Sequence, residues 1–214
     1  MFMQGGVLII IKVCGITSVT AAAAARDYGA DLIGFVFAES KRRIHIEAAE
    51  HVASEVGGIG KVGVFVDAPL STVQNIAKRC KLDFVQLHGS ESAEYCRLVQ
   101  VPVIKAVRVG ADFNPSALAA YDAEWILLDS FVAGRQGGTG ITFDWQQARL
   151  VRQQIKVPLF VAGGLTAENV GDAVRILSPE GLDVSGGVET DGSKDLEKIK
   201  QFLIAARTAK GGTE

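Results

Sequence analysis

The chain alternates from end to end between short apolar runs and longer segments with one apolar face. The apolar runs are Val7–Val13, Leu32–Phe37, Lys61–Val66, Phe84–Leu87, Val103–Val107, Trp125–Leu128, Leu159–Val161 and Leu182–Val184. They are rich in Val, Ile, Leu and Phe and show little alternation, as strands do when both faces are buried in a parallel sheet. Between them lie helical patterns. Val19–Tyr28 is Ala-rich and stops at Gly29, a helix-ending residue, and Ile46–Val56 runs out at Gly57-Gly58. Leu70–Cys80 follows Pro69, a favoured helix start. Ser92–Val99, Trp145–Gln154, Ala167–Leu177 and Leu196–Ala206 complete the firm set, and Ser116–Tyr121 supplies at most two turns.

Eight strand–helix units of roughly 25–30 residues predict a single-domain α/β protein, a (β/α)8 TIM barrel with a weak or short fifth helix. An open doubly wound sheet is the rival, but it would want GxGxxG in the first strand–helix turn. That turn reads Cys14-Gly15-Ile16-Thr17. Residues 7–208 form the expected barrel, after an extension at 1–6 and before a frayed tail at 209–214.

Composition narrows the class. At 214 residues the chain can bury a large core without staples. Its 48% hydrophobic and 21% charged residues exclude a disordered chain. A net charge of −2 gives no footprint for nucleic acid. Cys14, Cys80 and Cys96 are odd in number and far apart, which suggests free thiols in a reducing compartment. No Cys/His cluster has zinc spacing, the first residues lack the basic start of a signal peptide, and no apolar run is long enough to span a bilayer. The expected protein is cytoplasmic, with neither a metal nor a membrane partner.

In such a barrel, chemistry sits at the carboxyl ends of the strands. Those positions hold Cys14, then Ser40-Lys41-Arg42-Arg43, Asp67, His88-Gly89, Arg108, Asp129, Gly163-Gly164, and Asp183 with Ser185-Gly186-Gly187-Val188-Glu189. The loop after strand six adds Gly137-Gly138-Thr139-Gly140. Three glycine clusters at one end suit a phosphate, because glycine lets backbone N–H groups approach an anion closely. Cys14 and Asp129 would face each other across the mouth as a base and acid pair. A thiol base needs nearby cations, for which Arg42 is one source, while a partly buried aspartate favours the proton-donor role. Each residue also has a plainer use: Cys14 as packing, Asp129 as a loop cap, His88 as a loop anchor, and Lys41–Arg43 as a solvated run.

At these residues the chain resembles the phosphoribosylanthranilate isomerase family of tryptophan biosynthesis. The likeness runs from Lys12 to about Leu203 through Lys12–Thr17, Gly34–Phe37, Ser40–Arg42, Gly63–Val66, Val85–Gly89, Leu127–Asp129, Gly137–Gly140 with Phe143–Trp145, Gly163–Thr166 with Glu168–Val170, and Asp183–Ser185 with Gly187–Glu189. The resemblance implies a cofactor-free Amadori rearrangement of N-(5-phosphoribosyl)anthranilate, with Asp129 as general acid and Cys14 as general base. It implies Arg42 on the anthranilate moiety, with Arg43 as the alternative because the loop before it departs from the family pattern. His88 and Asp183 fall on substrate-binding rim positions. Gly137–Gly140, Gly163-Gly164 and Ser185–Gly187 fall on the phosphate cradle. The implied partner is a small phosphoribosyl substrate, and the chain would be a monomer or a small homo-oligomer. Two alternatives stay open: the histidine-pathway aldosylamine isomerase, which would place a carboxylate after strand one, and a non-catalytic phosphate-sugar binding barrel.

Overall fold

A computed structural model describes residues 9–109, 118, 120, 121, 123–130, 149 and 152–211. Its elements, numbered as described, are β1 (Ile10–Cys14), α1 (Val19–Asp27), β2 (Leu32–Val36), α2 (Ile46–Glu55), β3 (Gly60–Phe65), α3 (Leu70–Arg79), β4 (Phe84–Leu87), α4 (Ala93–Leu98), β5 (Val103–Val109), β6 (Trp125–Ser130), β7 (Leu159–Ala162), α5 (Val170–Leu177) and β8 (Gly181–Val184). A 3-10 turn (Gly186–Val188), a short hairpin of β9 (Glu189–Thr190) and β10 (Ser193–Lys194), and α6 (Leu196–Gly211) follow. Strands β1 to β8 form one closed barrel in chain order, and β8 pairs in parallel with β1. The (β/α)8 expectation is therefore met.

Strand boundaries differ from the sequence reading by at most three residues, and one shift matters. β6 continues through Asp129 to Ser130 because Asp129 and Ser130 still pair with Arg108 and Val109 on β5. Asp129 is thus fixed by the barrel wall rather than carried on a loop. α6 runs to Gly211, three residues into the tail expected to fray, and Ala209 packs against the core. The expected helix Trp145–Gln154 and the weak segment Ser116–Tyr121 lie partly outside the described residues.

The period-2 alternation of the strands sorts side chains into two cores. Ile11, Val13, Ile33, Phe35, Val85, Leu87, Val161 and Leu182 point outward to a large core shared with the helices. Leu32, Val62, Ile104, Ala106, Leu127, Phe160 and Ala162 fill the barrel interior. Large and small residues alternate there, and the Phe160 ring takes the room that a side chain at Gly181 would need. Helices begin where the sequence supplies caps: Ser18 accepts from the Ala21 N–H and Ser92 from the Tyr95 N–H.

The two barrel ends use polar groups differently. At the amino end, Asp31, Asp83 and Glu180 accept from the strand N–H groups of Ile11, Lys61 and Leu159 at 2.7–2.9 Å. Arg207 on α6 adds an ion pair to Asp31 at 2.8 Å. These satisfy backbone donors and are structural. At the carboxyl end the inward positions Lys12, Cys14, Gln86, Asp129 and Asp183 are polar where the layers below are apolar.

Candidate active site

Cys14 is the last residue of β1 and faces the mouth of the barrel, packed with Val36 and Val64. Two residues earlier on the same face lies Lys12, wholly buried. Its ammonium forms an ion pair with Asp183 on β8 at 2.9 Å. The lysine stem and the thiol converge over Gly34 on β2. A Cβ at Gly34 would sit 2.8 Å from Cys14 Sγ and 3.2 Å from Lys12 Cε, so only glycine leaves room for both.

The electrostatics of this trio follow from burial and charge. Burial pushes the Cys14 thiol above its ordinary value; Lys12 and Lys194 oppose the rise and Asp183 adds to it. Burial also works against the Lys12 ammonium, but Asp183 and Cys14 outweigh it and hold the lysine charged. The cation acting most on the thiol is therefore Lys12, not the expected Arg42, whose guanidinium is claimed elsewhere.

Arg42 reaches into the mouth between Gly15 and Gly186. A Cβ at Gly15, whose φ is +79°, would lie 2.7 Å from Arg42 Cδ, and one at Gly186 would lie 3.2 Å from Nη2. Both nitrogens of its fork meet Glu189, at 2.5 and 2.8 Å. Arg43 turns away to pair with Glu39 on the surface. Of the two arginines, Arg42 is the one held at the mouth. Lys194 also reaches Glu189 at 2.7 Å and bonds Ser185 O at 3.0 Å. The β9–β10 register sets Glu189 opposite Lys194, so the hairpin delivers both.

Burial alone would raise the Glu189 carboxyl, but Arg42 and Lys194 pull it from 4.5 down to about 2. A depressed carboxylate contributes stability above its unfolded value, and that contribution is lost as pH falls from about 4.5 towards 2. Glu189→Gln is expected to cost about 3 kcal/mol at pH 7, because it leaves two cations without their counter-charge. It should also flatten the loss of stability between about pH 5 and 2.5, as read by urea unfolding across pH. An unchanged acid slope would remove Glu189 from that role.

Across the mouth, Asp129 Oδ2 lies 3.1 Å from His88 Nε2, and His88 Nδ1 lies 2.8 Å from Gln86 Nε2. The loop carrying His88 is braced from outside the barrel. Lys105 bonds Leu87 O, Gly89 O and Glu91 at 3.3, 2.7 and 2.8 Å. Glu91 in turn accepts from the N–H groups of Asp67 and Gly89.

Gly163 and Gly164 have φ of +87° and +65°, and Asn169 ties this loop to Gly164 O and Thr166 N at 2.9 and 2.8 Å. A Cβ at Gly187 would come within 3.2 Å of Thr166 Cα, so the turn after β8 packs directly on the loop after β7. Ser185 Oγ donates to Cys14 O at 3.0 Å, joining this side to the thiol strand. The structure thus gathers Cys14, Arg42, His88, Asp129, Asp183, Gly163-Gly164 and Ser185–Gly187 at one barrel end. Gly137, Gly138, Thr139 and Gly140 lie outside the described residues. Among the described residues no group of His, Cys, Asp and Glu could hold a metal, and no helix is long and apolar enough to cross a membrane.

Sequence reasoning assigned no role to Lys12, Gln86, Lys194 or Glu189. The available signal was parity: Lys12 stands two residues before Cys14, and Gln86 two before His88, so each pair shares an inward face.

The profile of the family described as N-(5'-phosphoribosyl)anthranilate (PRA) isomerase matches residues 11–205. An N-(5'-phosphoribosyl)anthranilate isomerase of Bacillus cereus is 43% identical over 198 residues, covering 92% of this chain and 98% of the relative. The crystal structure of phosphoribosyl anthranilate isomerase from Thermotoga maritima superposes with a TM-score of 0.85 at 37% identity, covering 94% of this chain and 100% of that one. A structure of the same enzyme in complex with reduced 1-(o-carboxyphenylamino)-1-deoxyribulose 5-phosphate superposes at 0.80 with 34% identity, covering 94% and 100%. Of the readings left open by the sequence, these relatives share isomerisation of phosphoribosylanthranilate. The chain belongs to the N-(5'-phosphoribosyl)anthranilate isomerase family.

Proposed function

We propose that this chain converts N-(5'-phosphoribosyl)anthranilate to 1-(2-carboxyphenylamino)-1-deoxyribulose 5-phosphate with Asp129 as general acid and Cys14 as general base. The observation that carries the division of labour is the pairing across the barrel mouth. A carboxyl with a histidine on one oxygen stands on β6, and a thiol with a buried ammonium beneath it stands on β1.

In this reading Asp129 gives its proton to the furanose ring oxygen as the C1–O bond breaks. The nitrogen lone pair moves into C1, giving the open-chain Schiff base. The Cys14 thiolate then takes the proton from C2. The C–H electrons form the C1–C2 double bond and the C–N π electrons return to nitrogen, which leaves an enolamine. Tautomerisation to the ketone completes the rearrangement. An acid and a base of different type suit two proton transfers at neighbouring atoms. Lys12 favours the thiolate from a position that water cannot screen.

The other expected contacts fit the same pose. Arg42, aligned by Glu189, is the anthranilate-side cation, and His88 and Asp183 are the rim residues. The loops at Gly163-Gly164 and Ser185–Gly187, with Gly137–Gly140, are the phosphate cradle. Glycines that admit close backbone approach support this assignment. We take the partner to be this small substrate, with no nucleic acid or membrane, and the protein to be a cytoplasmic monomer or small homo-oligomer. The test is loss of anthranilate-substrate fluorescence when the purified protein meets phosphoribosylanthranilate made in situ. Rapid loss above the rate without protein is expected; no loss with folded, phosphate-binding protein would overturn this reading in favour of the binding barrel, with an assay on the histidine-pathway aldosylamine deciding the other alternative.

A further inference from the structure

Gln86 is a buried amide for which the reaction as proposed has no use. It lies on β4 two residues before His88 and is 1% exposed. Its NH2 can only donate, so at 2.8 Å the ring nitrogen Nδ1 must accept. The single proton of a neutral imidazole is then on Nε2, which donates to Asp129 Oδ2 at 3.1 Å. Gln86 Oε1 is buried with no hydrogen-bond partner among the described residues. Turning the amide over would put Oε1 on a protonated Nδ1 and strand the NH2 in that same pocket. As observed, the amide leaves one N–H and its carbonyl without a partner among the described residues, and turned over it would leave two N–H groups; a buried orphan N–H is the less tolerated of the two, so the pocket favours the observed orientation.

We infer that Gln86 is a positioning residue for the isomerisation: it holds His88 as the neutral Nε2–H tautomer, so that His88 occupies one oxygen of Asp129 and leaves the other to carry the acid proton. This rests on Asp129 being the general acid. An NH2 facing Nδ1 makes a second ring proton costly, because two N–H groups would then point at each other. Without that block the ring could become an imidazolium beside Asp129, and a cation there favours the carboxylate over the acid.

The other charges around His88 do not supply the same control. Lys105 on β5 is matched by Glu91 at 2.8 Å, and Glu91 also receives the Asp67 and Gly89 N–H groups. Asp67, after β3, accepts from the Ser90 N–H. Arg108 stands opposite Asp129 in the β5–β6 register. Among the described residues, Gln86 and Asp129 are the groups bonded to the ring nitrogens.

The experiment is ¹H–¹⁵N correlation of histidine-labelled protein. The chain has three histidines, so His88→Asn assigns the signals. In wild type, Nδ1 of His88 is expected to appear as an unprotonated acceptor and Nε2 as the protonated nitrogen. Gln86→Glu places an acceptor opposite Nδ1. It should yield the doubly protonated ring, lower kcat about tenfold with KM little changed, and move the high-pH limb of kcat to lower pH. Gln86→Met removes the donor without adding charge, and should give a mixture of tautomers with a smaller loss of kcat.

A wild-type ring protonated on Nδ1 would overturn the inference. So would variants that change neither tautomer nor pH profile. If Gln86→Glu does not fold, the wild-type spectrum and Gln86→Met decide. Wild-type turnover in Asp129→Asn would overturn the acid reading and this role with it. A ring protonated on Nδ1, with Asp129→Asn inactive, would overturn this role alone.

Discussion

Cys14→Ser is expected to lower kcat by about 10²–10⁴-fold while substrate binding changes little. The hydroxyl is close to the thiol in size, so the packing with Val36 and Val64 and the fit over Gly34 should survive. What is lost is ionisation. A serine hydroxyl does not ionise to an alkoxide in the accessible pH range, whereas a thiol beside a cation can ionise to a thiolate. The structure adds a condition to this. Burial holds the thiol above its ordinary value despite Lys12 and Lys194, so the free protein carries mostly thiol. Alkylation of Cys14 should therefore accelerate with pH into the alkaline range, beyond the midpoint of an unburied thiol. The checks are kcat by fluorescence loss, substrate affinity in single-turnover titration, and a pH series of iodoacetamide labelling. Unchanged turnover in the serine variant would remove Cys14 as the base.

The sequence made the barrel legible because its strands are buried on both faces and its helices are not. Continuous runs such as Trp125–Leu128 therefore stand out from amphipathic segments such as Leu70–Arg79. Strand-end chemistry was legible too, since the fold places such residues at one rim. Pairings across the barrel were not. Lys12 meets Asp183 at a separation of 171 residues, and Arg42 meets Glu189 at 147. Nothing local in either segment reports its partner. Lys12 could be read as a strand residue, but its charge has meaning only once β8 closes beside β1. The apolar run ends at Leu128, so the sequence puts Asp129 just past the strand, where a loop begins, whereas the β5 register carries the strand two residues further. That difference changes the chemistry. A carboxyl held in the wall, with one oxygen on His88, has a fixed direction that a loop carboxyl would lack.

Asp129→Asn should lose about as much turnover as Cys14→Ser, but by stopping an earlier step. Asparagine keeps the shape, and its amide oxygen can still accept from His88 Nε2, so the wall and the Gln86–His88 contact should stay in place. It has no acidic proton to give. If Asp129 opens the ring and Cys14 deprotonates C2, the two variants must differ in what accumulates. Cys14→Ser can still form the Schiff base and should hold it, so cyanoborohydride should trap a reduced, ring-opened amine on that protein. Asp129→Asn should yield no more of it than buffer does. The double variant should resemble Asp129→Asn, because a blocked first step hides the second; losses of this kind do not multiply. Trapping in Asp129→Asn but not in Cys14→Ser would reverse the two roles, and equal trapping in both would mean that neither residue opens the ring.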